Sequence, residues 1–378
     1  MEDAIDRADT QCPGDARPCR DVTLPHRFRI DGVPAVRNVS AMATSPALLA
    51  NPISPLSGVR GLADYWALRT GRTPAAILSE EQTRLLLDTL GLGIEQAASY
   101  LGAEWPDYER FEAWILTTAG EPDPLLLARY NAWLDGAPPP EAELQRQQAI
   151  EAAAPVLDAE ALAGWDADGY AILRGAITRD EAKAAEALLW RLALANPDDP
   201  DSWYRAPRNN GIMIQHFQDP ALEAARRSPR VHKAFAQVWG TADLWMTTDR
   251  MSFNPPERPG RPFQGPQLHW DVSLSLPIPF ATQGILYLTD TSADQGALQL
   301  VPGFHHRIEG WLDGLGDMDP RAVDLSAEAR TIAAGAGDLV IWRQDLPHGA
   351  SPNRTDRPRM AQYINMYSAD LQSHPVWR

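Results

Sequence analysis

His269 and Asp271 stand one residue apart in QLHWDVSLSL, residues 267–276. In an extended segment, residues i and i+2 project to the same face, so the imidazole and the carboxylate point one way and Trp270 the other. A neutral imidazole beside a carboxylate makes two arms of a metal site. A second imidazole from another strand would complete a two-histidine, one-carboxylate set. On non-haem Fe(II) that set leaves positions open for a bidentate co-substrate and for O2. An HxD tripeptide alone is a weak signal, because most such residues are solvated or structural.

The third arm must come from the remaining histidines. His348 follows the apolar run GDLVIWRQ and a Leu-Pro turn, 79 residues after His269, which suits a ligand at a barrel rim. His305 and His306 follow Pro-Gly in LVPGFHHR and compete for the same place. His216, in GIMIQHFQD, reads equally as substrate-facing or as plain structure. Polar residues on adjacent runs offer further contacts. Ser252 and Asn254 share a face in DRMSFN, and Gln283, Tyr287 and Thr289 share one in QGILYLTD. Trp270 and Trp342 read as packing residues.

The elements that must position these groups are β-strands. From about residue 244 the chain runs LWMTTDRMSFN, LHWDVSLSL, QGILYLTD, GALQLVPG, GDLVIWRQ and RMAQYINMYS, each bounded by Pro, Gly or Asp. Six short runs of this kind predict a sandwich or barrel. Ahead of them, Tyr170–Leu173 reads as a short strand. Thr178 and Glu181 have the spacing of a capping box for a helix running to about Ala195.

The first part of the chain reads differently. Residues 1–57 show no period and look like an irregular tail or wrapping segment. Residues 58–150 carry helical spacing: SEEQTRLLLDTLG opens on a Ser79–Gln82 capping box, and two further amphipathic runs end at Gly120 and Gly136. The stretch APPPEAELQRQQ reads as a linker, which sets a third region at 151–378. The helical region is expected to shape the pocket entrance or to form a homodimer contact.

Composition narrows the function. A formal net charge of −16 argues against nucleic acid or an anionic membrane as partner, though not against a small-molecule substrate. The acidic start has no apolar core of a signal peptide, and no apolar run approaches the roughly 18 residues of a membrane helix. The two cysteines, Cys12 and Cys19, read as reduced thiols. The expected location is the cytoplasm.

Taken together, the motifs resemble the phytanoyl-CoA dioxygenase family of Fe(II)- and 2-oxoglutarate-dependent oxygenases, over about residues 156–370. DADGYAILRGAITRDEA resembles the family's opening strand and helix, LHWD its HxD, QGALQLVPGFHH its Pro-Gly-x-His stretch, and GDLVIWRQDLPHGASPNRTDRPR its distal Gly-Asp, His and Arg. The resemblance implies a double-stranded β-helix, the jelly roll of cupins, with flanking helices. It implies His269, Asp271 and His348 as iron ligands, and His305 in a turn or supporting role. Eleven residues after His348 comes Arg359, the offset at which the family's arginine holds the far carboxylate of 2-oxoglutarate. A planar guanidinium can take that carboxylate with two parallel hydrogen bonds. Arg354 and Arg357 are alternatives close by.

The second residue after the distal histidine is often a hydroxyl residue in this family; here it is Ala350, followed by Ser351. The accessory co-substrate contacts therefore fall to Ser252, Asn254, Gln283, Tyr287 and Thr289, with Tyr287 favoured by its offset from HxD. The implied reaction is oxidation of a substrate C–H bond, most simply hydroxylation, with release of succinate and CO2. The carboxylate of Asp271 argues against halogenation, since related halogenases keep that position free for chloride. The alternative from another class is a non-catalytic, cupin-like binding module. The absence of a clear basic cluster turns the substrate expectation from acyl-CoA toward a small metabolite or natural-product intermediate.

Overall fold

The computed structural model describes residues 54–73, 78–205 and 211–378, all within one compact unit, Ala47–Arg378. Cys12, Cys19 and nearly all of the expected tail lie outside the described residues.

Among the described residues six α-helices come first: α1 (Leu62–Arg69), α2 (Glu80–Thr89), α3 (Ile94–Glu104), α4 (Tyr108–Thr118), α5 (Pro124–Leu134) and α6 (Glu141–Ala152). Ser79 and Gln82 form the capping box their spacing predicts, and Asp107 and Asp123 cap α4 and α5. The stretch expected to be a linker is largely α6. Its three prolines stop short of the helix, where a missing N–H costs nothing, and EAELQRQQ continues as helix. A charge cluster anchors it: the buried Arg129 of α5 meets the buried Glu143 of α6 at 3.1 Å and the exposed Asp243 at 2.6 Å, with its guanidinium 4.1 Å over the Trp245 ring.

Then follow α7 (Ala159–Asp168), β1 (Tyr170–Leu173), α8 (Arg179–Leu192), β2 (Met213–Ile214), α9 (Pro220–Arg226), α10 (Pro229–Trp239), β3 (Trp245–Met246), β4 (Met251–Asn254), β5 (Thr282–Tyr287), β6 (Leu298–Leu300), α11 (Ile308–Leu315), β7 (Arg330–Ile332), β8 (Leu339–Arg343), β9 (His348–Ala350), β10 (Arg359–Tyr363) and β11 (Met366–Tyr367). The Thr178–Glu181 capping box opens α8. A six-stranded sheet has the order β1-β8-β5-β10-β4-β2, and a three-stranded sheet the order β7-β6-β9, all pairs antiparallel. β3 and β11 form a separate pair, on which the first helices pack through Trp245 and Tyr367. No helix is long and apolar enough to cross a membrane among the described residues.

Strand alternation sorts the large sheet into two faces. Leu339 and Ile341 of β8, Leu286 of β5, Phe253 of β4 and Met360 of β10 pack with Leu188, Leu189 and Phe235 of the flanking helices. Val340 and Trp342, Ile285 and Tyr287, and Ala361 face the other way, onto Leu298, Leu300 and Ile332 of the small sheet. Each large apolar side chain buried there contributes about 1.5–3 kcal/mol. Two facing antiparallel sheets with helices outside are the architecture the sequence predicts.

One expected strand is absent. Residues 267–276 form no strand; His269 makes a single bridge with His348, each donating its N–H to the other's carbonyl, at 2.8 and 3.0 Å. The carbonyls of Trp270 and Val272, which a ladder would use, accept instead from the side chain of Arg321.

Candidate metal centre

That bridge brings the two distant motifs together. His348 opens β9, held in register by Leu300 of β6, and His269 lies on its other side. The Nδ1 of His348 lies 3.0 Å from the Leu346 carbonyl, and that of His269 2.7 Å from the Gln267 carbonyl. A carbonyl can only accept, so in both rings Nδ1 carries the proton and Nε2 is turned to the site. Both Nε2 atoms face one carboxylate: His269 Nε2 is 3.2 Å from Asp271 Oδ1, and His348 Nε2 is 3.3 Å from Asp271 Oδ2. One donor atom from each of the three residues lies within 4.8 Å of the others, a span that fits a single metal ion.

The electrostatics keep the acid ionised. Desolvation by the surrounding protein opposes the charge on Asp271, but the imidazoles of His269 and His348 beside it outweigh it and hold the carboxyl well below the usual carboxylate range. The His348 side chain is 5% exposed and that of Asp271 57%, so the centre opens to solvent on the aspartate side. Trp270 faces away, as its position predicts, packing near Phe304 and Trp311.

Gln283, expected to touch the co-substrate, has its amide on the aspartate. Its Nε2 donates to Asp271 Oδ2 at 2.7 Å, while its Oε1 accepts from the indole N–H of Trp342 at 3.1 Å. Trp342, read as a packing residue, also fixes the orientation of that amide.

Around Arg359 lies a second cluster. It follows from β10 alternation: Arg359 shares the inner face with Ala361, opposite Asn254 and Ser252 of β4 in register. The side chain is 1% exposed, donates from Nε to the Gly296 carbonyl at 3.0 Å, and donates from Nη1 to Ser252 Oγ. Arg354 and Arg357 are exposed. No carboxylate forms an ion pair with Arg359 among the described residues, so a buried cation stands without an anion. Asn254 Nδ2 donates to the Ser351 carbonyl at 3.1 Å. Tyr287 is fully buried; its hydroxyl donates to the Ile332 carbonyl at 3.0 Å and accepts from Leu298 N–H at 2.8 Å. Burial pushes that phenol up to about 12. Thr289 lies past the end of β5, its Oγ1 buried with no hydrogen-bond partner among the described residues. Ser351 donates to the Ala297 carbonyl at 2.9 Å.

The competing histidines go elsewhere. His305 and His306 direct Nε2 to the Asp166 carbonyl, at 3.3 and 2.9 Å. His216 Nε2 is buried with no partner among the described residues. Arg321 escaped the sequence reading altogether; a lone arginine in a loop carries no periodic or motif signal.

The phytanoyl-CoA dioxygenase (PhyH) family profile matches residues 165–361, just over half of the chain. An ectoine dioxygenase of Bordetella parapertussis is 24% identical over 250 residues, covering 59% of this chain and 79% of the relative. A putative phytanoyl-CoA dioxygenase of Dictyostelium discoideum is 20% identical over 254 residues, covering 53% and 72%. Among solved structures, EvdO2 from Micromonospora carbonacea var. aurantiaca, complexed with 2-oxoglutarate, is similar at 19% identity and a TM-score of 0.43, covering 60% of this chain and 96% of that one.

Proposed function

The chain belongs to the phytanoyl-CoA dioxygenase family, and from that membership we propose that it oxidises, most simply by hydroxylation, a C–H bond of a small metabolite or natural-product intermediate. It is a 2-oxoglutarate-dependent non-haem iron dioxygenase, using Fe(II), 2-oxoglutarate and O2. In this reading His269, Asp271 and His348 would hold the iron, and Arg359 would hold the far carboxylate of 2-oxoglutarate. With O2, the iron and its co-substrate supply the oxidising power, and succinate and CO2 leave.

The protein's own part is geometric. The carbonyls of Gln267 and Leu346 aim both imidazole Nε2 atoms at one point. Gln283 takes one oxygen of Asp271 and leaves the other for the metal. The observation that carries the co-substrate assignment is the buried guanidinium of Arg359. It has one backbone and one hydroxyl partner and no carboxylate partner among the described residues, which suits an incoming dicarboxylate. Ser252, Asn254, Tyr287 and Thr289 are kept in the proposal as the surroundings of that carboxylate. Gln283 is proposed to act there too, beside the aspartate it touches. The name of the Bordetella relative supports a small-molecule substrate.

The helices before residue 150 are proposed as a support for the oxygenase region, 151–378, through the Arg129 cluster and the α2 contacts described below. The test of the whole reading is anaerobic titration of metal-free protein with Fe(II) and then 2-oxoglutarate. A weak visible charge-transfer band, and iron-dependent succinate formation in air, are the expected results. A chain that binds neither, when folded, would overturn it.

A further inference from the structure

Arg321 lies in a short 3-10 turn, Pro320–Ala322, beyond α11 and fifty residues along the chain from Asp271. Its Nη1 donates to the carbonyl of Trp270 at 2.7 Å, and its Nη2 to the carbonyl of Val272 at 2.7 Å. These are the carbonyls of the residues on either side of Asp271. One planar guanidinium therefore brackets the residue that supplies the carboxylate. The same group meets residues 377 and 378: Nε and Nη2 donate to the Arg378 main-chain oxygen at 3.2 and 3.0 Å, and the guanidinium sits 4.9 Å over the Trp377 ring. Ser273, two residues past Asp271, ties down the same segment. Its hydroxyl donates to the Val376 carbonyl at 2.6 Å and accepts from Arg378 N–H at 3.1 Å. Leu274 N–H donates to the Arg378 carbonyl at 3.2 Å.

We infer that Arg321 is a positioning residue for the Asp271 arm of the metal centre, held in place by the strap Val376–Arg378; the inference rests on the reading of His269, Asp271 and His348 as the metal site. Residues 270–274 belong to no strand, so no ladder sets the backbone of Asp271. Something else must. A rigid fork with two donors on two alternate carbonyls admits one conformation of the residue between them. Lysine replaces it only in part, since an ammonium on a flexible stem lacks the fixed planar fork that matches two alternate carbonyls. The strap supplies the remaining acceptor and an aromatic face for the cation. Gln283 orients the carboxylate and Arg321 its main chain, from separate directions.

The test compares the full chain with Arg321→Gln, Arg321→Lys and Ser273→Ala. Each is titrated anaerobically with Fe(II) and then 2-oxoglutarate, and melted with and without metal. Arg321→Gln is expected to bind Fe(II) about 10- to 100-fold more weakly, the usual effect of losing a group that supports a metal ligand. Its charge-transfer band should weaken, and its metal-induced rise in Tm should shrink while the metal-free Tm stays close to that of the parent. Arg321→Lys should recover only part of the affinity, and Ser273→Ala should lose several-fold. An Arg321→Gln protein with parental Fe(II) affinity and band overturns the inference, as does a fall in metal-free Tm with affinity kept. If Arg321→Gln does not fold, the other two variants decide on the same readout, and parental affinity in both overturns it. A parent that binds no Fe(II) overturns the metal reading itself, an outcome seen before any variant is made.

Discussion

The amide of Gln283 is locked between an indole and a carboxylate: Trp342 Nε1 reaches its Oε1 at 3.1 Å, and its Nε2 reaches Asp271 Oδ2 at 2.7 Å. An indole nitrogen only donates, so the amide has one orientation and its NH2 must face the aspartate. Gln283→Ala is therefore expected to weaken Fe(II) binding about tenfold with the fold retained, measured by anaerobic metal titration and circular dichroism. Parental affinity would show that the aspartate needs no such partner.

Removal of a proposed ligand is more severe. His269→Ala and Asp271→Ala should abolish succinate formation, because two donors do not hold Fe(II) in an open site. Normal turnover of either, after careful control of added metal, would refute the ligand assignment.

Arg359→Lys separates charge from shape. The lysine keeps a cation yet cannot make the forked pair of bonds to a carboxylate. Loss of one charge-assisted bond, about 1.5–3 kcal/mol, raises KM for 2-oxoglutarate by roughly 10- to 150-fold. Fe(II) affinity should stay unchanged. A parental KM would move the co-substrate to another cation.

Gly296 supports the same arginine through its carbonyl, with φ at +67°. A Cβ there would stand 2.2 Å from Asn254 Nδ2, a buried amide already bonded to Ser351. Gly296→Ala combines left-handed strain of about 1–2 kcal/mol with that clash. The expected result is a lower denaturation midpoint together with a higher KM for 2-oxoglutarate. An unchanged midpoint would mean that the β4 end yields freely.

A pH effect should arise far from the metal. Asp88 of α2 is buried, accepting from Tyr367 OH at 2.6 Å and Thr248 N–H at 2.9 Å. Burial dominates over these bonds and pushes its carboxyl up to about 7. An unfolded aspartate titrates near 3.9. The folded state thus favours the protonated acid, so its contribution to stability is complete below about pH 4 and is lost as pH rises through about 7. Denaturation at pH 5 and pH 8 should show the parent losing more stability over that interval than Asp88→Asn, which cannot ionise. Parallel losses in the two proteins would discount this carboxyl.

Much of the centre was legible from local geometry. The i, i+2 rule put His269 and Asp271 on one side and Trp270 on the other, whereas the place of Arg359 opposite Asn254 came only with the register of β10 on β4. Turn residues and capping boxes marked α2 and α8 for the same reason: their hydrogen bonds close within three residues. The helix α6 was misread because three prolines announce a break without saying how soon a helix resumes.

What the sequence by itself determined is therefore local: the shared facing of His269 and Asp271 and the capping of α2 and α8, since each depends on neighbours two or three residues away. The tertiary structure alone decided their partners. Gln283 was legible as a polar inward residue, but closure of β5 against β8 handed it to Asp271 and Trp342. The segment 267–276 had the alternation of a strand, yet Arg321 claimed its carbonyls from 49 and 51 residues away. His348 meets Asp271 across 77 residues. Pairings at such separations are set by how the sheets close, and periodicity carries no record of them.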